Sequence, residues 1–237
     1  MAGPLIVAGV IAMAGVIFGP EEPVRLNIGL VVDISAEMRE RFGDSTRFEA
    51  AIAELADFVE PRDSDNLGLW TSGGSCGDDG AREVVPFGRE NSDEIQAVLR
   101  GLEPRGPANL ADAVIQATGA FSDPSRFPAD VQKRVILFTA GTDTCDPDYV
   151  EEIGERLAEV GEELNLKLHF FTLRVSQRLQ RELRALQRRL SGQVEVEFAD
   201  TPAELEEDLD DLEQSLPGGS DGRDTPTVGP SGTASPR

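Results

Sequence analysis

The sequence predicts an α/β fold, a doubly wound, mostly parallel sheet of six strands with helices on both faces. Three observations lead there. Apolar runs of strand length alternate with stretches whose apolar residues recur at helical spacing. Residues 25–35 form a near-continuous apolar run, as in a strand buried on both faces, and residues 133–139 hold four apolar residues in succession, Val135 to Phe138. The 237 residues, 39% of them hydrophobic, are enough for one well-cored domain and short for two.

The first strand carries Leu26, Ile28, Leu30, Val31 and Val32. A helix over residues 45–60 groups Phe48, Ile52, Leu55, Ala56 and Val59, and Pro61 stops it. Residues 66–72 and 82–88 read as two short strands around a glycine-rich loop. Ser92 caps a helix to Leu102 with Ile95, Val98 and Leu99 on one face, and another helix covers residues 109–121. The central strand holds Val135, Ile136, Leu137 and Phe138. Asp146-Pro147 opens an acidic helix that reaches Leu164, with proline at its favoured first-turn position. A strand over residues 166–175 leads into a basic helix over residues 176–190, ended by Ser191-Gly192. Residues 193–199 alternate Val194, Val196 and Phe198 with Glu195 and Glu197, the pattern of a half-exposed edge strand. Thr201, Pro202 and Glu204 give the last helix a cap, a first-turn proline and an N3 carboxylate.

The ends of the chain differ from its middle. Residues 2–19 carry no charge and suit a short spanning helix or a signal-peptide core, with Ala12-Met13-Ala14 resembling a cleavage site. Residues 217–237 are too poor in apolar side chains to offset their ordering entropy. The expected organisation is therefore an anchor or signal plus linker over residues 1–23, a domain over residues 24–216 and a disordered tail over residues 217–237. The anchored form is a single-pass protein of the cell membrane with its domain outside. Cleavage after Ala14 would release it as a secreted protein instead.

A net charge of -22 argues against nucleic acid, because phosphate rewards clustered Lys and Arg. Cys76 and Cys145 each follow a strand-like run, where they can meet at one edge of the sheet. In an exported chain such a pair points to a disulfide.

Ligands of open α/β sheets bind beyond the carboxyl ends of the strands, where the strand order reverses. Three segments fall there. They are Asp33-Ile34-Ser35-Ala36-Glu37, the stretch from Gly106 to Ala113, and Thr139-Ala140-Gly141-Thr142-Asp143-Thr144-Cys145. In this order they resemble the von Willebrand factor A (vWA) family over residues 25–216. The resemblance implies a Rossmann-like vWA fold and a role in binding another protein. Family members hold magnesium or calcium in a metal-ion-dependent adhesion site, Asp-x-Ser-x-Ser followed by a Thr and then an Asp-Gly. The ion's open position takes a carboxylate from the partner.

Asp33 and Ser35 match the first two positions of that pattern. Glu37 stands for the second Ser, Ala108 for the Thr and Ala140 for the final Asp. Magnesium wants an octahedron of oxygens, and alanine offers none. The expectation is a degenerate site with no cofactor. The alternative is a weak Mg2+ or Ca2+ site through Asp33, Ser35 and Glu37. Asp112 and Asp143 are close in sequence, at positions the family does not use for coordination.

No dinucleotide fingerprint or P-loop is present, and Ser35 lacks a nucleophile elbow. The only histidine, His169, lies inside a strand, so a hydrolase with an atypical site is the weaker alternative to a non-enzymatic adhesion or scaffold module. Arg178, Arg181, Arg184 and Arg188 form a stripe on the basic helix, opposite Leu179, Leu183, Leu186 and Leu190. That stripe is the candidate partner surface.

Overall fold

The computed structural model describes residues 26–77 and 79–217. The expected anchor or signal at residues 2–19 and the tail from residue 218 onward lie outside them. Among the described residues no helix is long and apolar enough to cross a membrane.

In chain order the regular elements are β1 (Asn27–Asp33), β2 (Arg41–Phe42), β3 (Ser45–Thr46), α1 (Arg47–Val59), β4 (Asn66–Ser72), β5 (Ala81–Gly88), α2 (Ser92–Gly101), α3 (Leu110–Gly119), β6 (Lys133–Thr139), α4 (Tyr149–Val160), β7 (Leu166–Leu173), α5 (Gln177–Arg189), β8 (Val194–Ala199) and α6 (Pro202–Ser215). Six strands make one sheet in the order β5-β4-β1-β6-β7-β8, parallel except for β5 on β4. Every residue of β1 and β6 is buried, which is why both hold unbroken apolar stretches, Leu30 to Val32 and Val135 to Phe138, with polar residues toward the strand ends.

One layer packs α1, α2 and α6 against Leu30, Val32 and Phe138, and the other packs α3, α4 and α5 against Val31, Val135 and Leu137. Alternate residues of a single strand thus feed opposite cores. The chain crosses from β1 to β4 on one side and later to β6 on the other, so the crevice at the end of β1 is the switch point.

Several boundaries differ from the sequence expectation for local reasons. The first helix starts at Arg47 because Thr46 and Glu49 close a capping box, and residues 41–46 fold instead as the β2–β3 ribbon. Ser92 is not the cap of α2. Asn91 holds that place and donates to the Leu67 carbonyl, while the Ser92 hydroxyl donates to Asp63. Helix α4 begins at Tyr149, after the Asp143 carboxylate has accepted the Asp146 N–H and the Asp146 carboxylate the Asp148 N–H. At α6 the capping box of Thr201 and Glu204 forms as its residues imply.

Candidate functional site

Asp33 ends β1 at the switch point, fully buried. Its Oδ1 accepts the Ser35 N–H at 2.8 Å, and its Oδ2 accepts the Thr139 hydroxyl at 2.8 Å and the Ala140 N–H at 3.1 Å. Burial pushes its pKa up, against the opposing pull of the groups that donate to it. Thr139 in turn accepts the Gly141 N–H at 2.7 Å, and the Tyr149 hydroxyl donates to the Gly141 carbonyl at 2.7 Å. Sequence reasoning passed over Thr139 and Tyr149. Both had a legible signal, a polar group at the end of a buried strand and an aromatic hydroxyl in the first turn of the next helix.

The loops around Asp33 are knitted to one another. Cys76, after β4, is joined to Cys145, after β6, so the expected disulfide forms across the end of β1. Asp143 spends both carboxylate oxygens on backbone. Oδ2 accepts the N–H groups of Leu110 and Ala111 at 2.6 and 3.1 Å, and Oδ1 those of Cys145 and Asp146 at 2.8 and 3.0 Å. This carboxylate caps α3 from a distant loop, where the helix dipole favours negative charge. The Asn109 N–H donates to the Ser72 hydroxyl, the Asn109 side chain to Asp112 and the Gly77 carbonyl, and the Ala108 N–H to the Thr144 hydroxyl. Gly106 is required by both its φ of 66° and its surroundings, since a Cβ there would sit 2.3 Å from the Gly74 carbonyl oxygen.

The residues of the expected metal pattern do converge. Ser35, Glu37, Pro107, Ala108, Thr142 and Thr144 line a small cavity of about 170 Å³. Ala108 in that lining and Ala140, buried at the end of β6, bring no side-chain oxygen, and the Ser35 hydroxyl is buried without a hydrogen-bond partner. Among the described residues no three His, Cys, Asp or Glu side chains are grouped so as to hold a metal ion. The donor set is thus a poor match to the oxygen shell a magnesium ion requires.

His169 is placed elsewhere, on β7, where both ring nitrogens are engaged. Nε2 meets the Arg134 guanidinium at 2.6 Å, and Nδ1 meets the Glu195 carboxylate at 3.1 Å. Burial, then the charges of Arg134 and Lys167, hold its pKa down at about 3. It is a packed, neutral ring donating Nδ1–H to Glu195. The arginine stripe lies on α5 with Leu179, Leu183 and Leu186 buried beneath it.

Residues 28–142 match the family model for the von Willebrand factor type A domain. The chain contains a vWA domain. Its fold is similar to the SpRpn10 VWA domain, with a TM-score of 0.61 and 19% identity over 83% of this chain and 98% of that one. BatB from Bacteroides thetaiotaomicron aligns with a TM-score of 0.60 and 14% identity, over 80% of this chain and 98% of that one. The pilus adhesin SpaC from Lactobacillus rhamnosus GG aligns at 0.61 and 15% over 81% of this chain, which spans 30% of the adhesin. No curated protein sequence matches the chain. At these identities the vWA likeness fixes the fold and leaves the loop chemistry to this sequence.

Proposed function

We propose that the chain is a non-enzymatic, extracytoplasmic binding module that engages a partner protein through the loop face of its vWA domain without a metal ion. The Asp33 carboxylate carries this reading. In this fold it is the residue expected to support an ion, and here both its oxygens are engaged by Ser35, Thr139 and Ala140. Ala36, Pro107 and Ala108 give the small cavity next to it an apolar surface, suited to a small apolar side chain of a partner. The disulfide and Asp143 hold the surrounding loops where an ion would otherwise link them. With both nitrogens of the single histidine engaged on β7, Ser35 has no histidine to activate it, which favours binding over hydrolysis.

The disulfide also supports placement outside the cytoplasm, tethered through residues 2–19 or released after cleavage. Similar folds occur in a pilus adhesin and in an aerotolerance-related membrane protein from Bacteroides fragilis.

Calorimetry with magnesium, calcium and manganese tests the metal half of the proposal, and binding should be millimolar or weaker. A micromolar constant abolished by Asp33→Ala would instead establish a working site through Asp33, Ser35 and Glu37. Cross-linking at the loop face of protein kept in its native envelope, followed by mass spectrometry, tests the other half. Cross-links confined to other surfaces would remove the loop face from consideration.

A further inference from the structure

The cavity beside Asp33 has a polar side as well as an apolar one. Glu37 is the only charged residue in its lining, which contains no Lys, Arg or His. The Glu37 carboxylate has no ion pair or hydrogen bond among the described residues. In the same lining the Ser35 hydroxyl is buried without a hydrogen-bond partner. It sits near enough to Asp33 to oppose the burial that raises that carboxyl's pKa, yet outside hydrogen-bond geometry. The Thr144 hydroxyl accepts the Ala108 N–H at 3.1 Å, and Thr142 brings another hydroxyl.

The arginines of the surrounding loops are directed elsewhere. Arg39 donates to the Pro104 carbonyl. Arg47 pairs with Glu40 at 2.9 Å and donates to the backbone carbonyls of Glu37 and Arg174. Arg105 is exposed and outside the lining. The acceptors of the cavity are thus left, among the described residues, without a cation. An anion there would meet Glu37 as a like charge, and a divalent ion would lack the oxygens that Ala108 and Ala140 do not supply. A buried hydroxyl without a partner is costly, and a donor brought by a ligand relieves that cost.

We infer that this cavity receives a lysine side chain of the partner protein, an assignment that rests on the loop-face reading above. The aliphatic stem lies on Ala36, Pro107 and Ala108, and the ammonium donates to the Glu37 carboxylate and the Ser35 hydroxyl. At about 170 Å³ the cavity is smaller than the sites of drug-sized ligands and suits a single side chain. Charge complementarity selects a cation, and the mixed set of acceptors selects an ammonium. Lysine carries three donors on a compact head at the end of an apolar stem, which suits a carboxylate and hydroxyls together. Arginine's rigid planar fork is matched to a carboxylate alone. A purely apolar side chain would cover Ala108 and leave Ser35 and Glu37 unpaired. The charge relation is the reverse of the family's, in which a bound ion takes a carboxylate from the partner.

Nuclear magnetic resonance titration of the intact oxidised protein with end-capped peptides, carrying lysine, norleucine or arginine between glycines, tests the assignment. The lysine peptide should bind saturably and shift the amide signals of Glu37, Ala108 and Thr144. Its affinity should be about fivefold above that of the norleucine peptide, which keeps the stem and lacks the charge. Glu37→Gln, with an unchanged melting temperature, should lower the lysine peptide to the norleucine level and leave the norleucine peptide as it was. Ser35→Ala should weaken the lysine peptide too. Equal affinity of the lysine and norleucine peptides would overturn the ammonium and leave the loop-face cavity standing. Tighter binding of the arginine peptide would overturn the choice of lysine. If no peptide shifts the cavity signals, the lysine assignment falls, and cross-linking at the loop face still decides the broader reading.

Discussion

Leu110 donates its backbone N–H to the Asp143 carboxylate at 2.6 Å, so the first turn of α3 is capped by a residue from the loop after β6. That carboxylate receives three further N–H groups, from Ala111, Cys145 and Asp146. Asp143→Ala would leave these donors in a largely buried turn without partners. The expected loss is about 2–4 kcal/mol in urea unfolding, with faster amide exchange at Leu110 and Ala111. A loss below about 0.5 kcal/mol, the range of ordinary surface substitutions, would deny Asp143 this role.

The bridge between Cys76 and Cys145 closes a loop across 69 positions. In the chain-entropy account this constrains the unfolded state by about 4 kcal/mol. The Cys76→Ser/Cys145→Ser variant should be destabilised by about that amount, and unreduced peptide mapping of the parent should recover the linked pair. Two freely alkylated thiols in protein from the cell envelope would remove the bridge and weaken the placement outside the cytoplasm.

Restoring the family's oxygens offers a gain-of-function check on the proposed loss of metal. Glu37→Ser, Ala108→Thr and Ala140→Asp together should create divalent-cation binding measurable by calorimetry, because Glu37 and Ala108 line one cavity and the Ala140 backbone is bonded to Asp33. If the parent and the triple variant bind magnesium equally well, the alanines are not what sets affinity.

Acidity should make stability depend on pH in a defined direction. Glu54 is pushed up to about 7 by burial first and then by the charges of Glu206, Asp57 and Asp210, and Glu197 reaches about 7 by burial and by Asp208, Glu195 and Asp211. A carboxyl whose folded pKa is raised is fully compatible with the fold below its unfolded pKa, and its stability is lost as pH rises through the folded value. Glu54→Gln should therefore stabilise the protein above pH 7 and have little effect below pH 4.5. At about 1.4 kcal/mol per unit, discounted for partial exposure, the gain is about 1–2 kcal/mol. Thermal melts on both sides of the window decide it, and a gain at acid pH alone would reverse the sign.

His169 runs the other way. With its pKa lowered to about 3, the fold refuses a proton that the unfolded chain accepts near 6.5, so its stabilising contribution is lost as pH falls between those values. As the chain's single histidine, it gives one imidazole resonance, which should stay in the neutral form down to about pH 4. Titration near 6.5 would mean that the contacts with Arg134 and Glu195 do not hold the ring.

Much of the fold was legible because buried parallel strands leave unbroken apolar runs and their helices leave amphipathic ones. β1 and β6 announce themselves through Leu30, Val31, Ile136 and Leu137, and α5 through Leu179, Leu183 and Leu186. The site was legible only where a residue occupies a family position, as Asp33, Ser35, Ala108 and Ala140 do. Asp143 could not be read as the cap of α3, because its partners are more than thirty positions away and carry no sequence mark as receivers.

The bridge between the loops after β4 and β6 also sets how far the domain can be drawn out under load. Pulled between residues 26 and 217, the oxidised chain keeps 69 positions locked in a closed ring. Roughly 240 Å of contour, at about 3.5 Å per residue, stays out of reach of the force. A domain exposed to shear at a cell surface would thus unravel only in part, and a reductant would lengthen each unfolding event by that same increment.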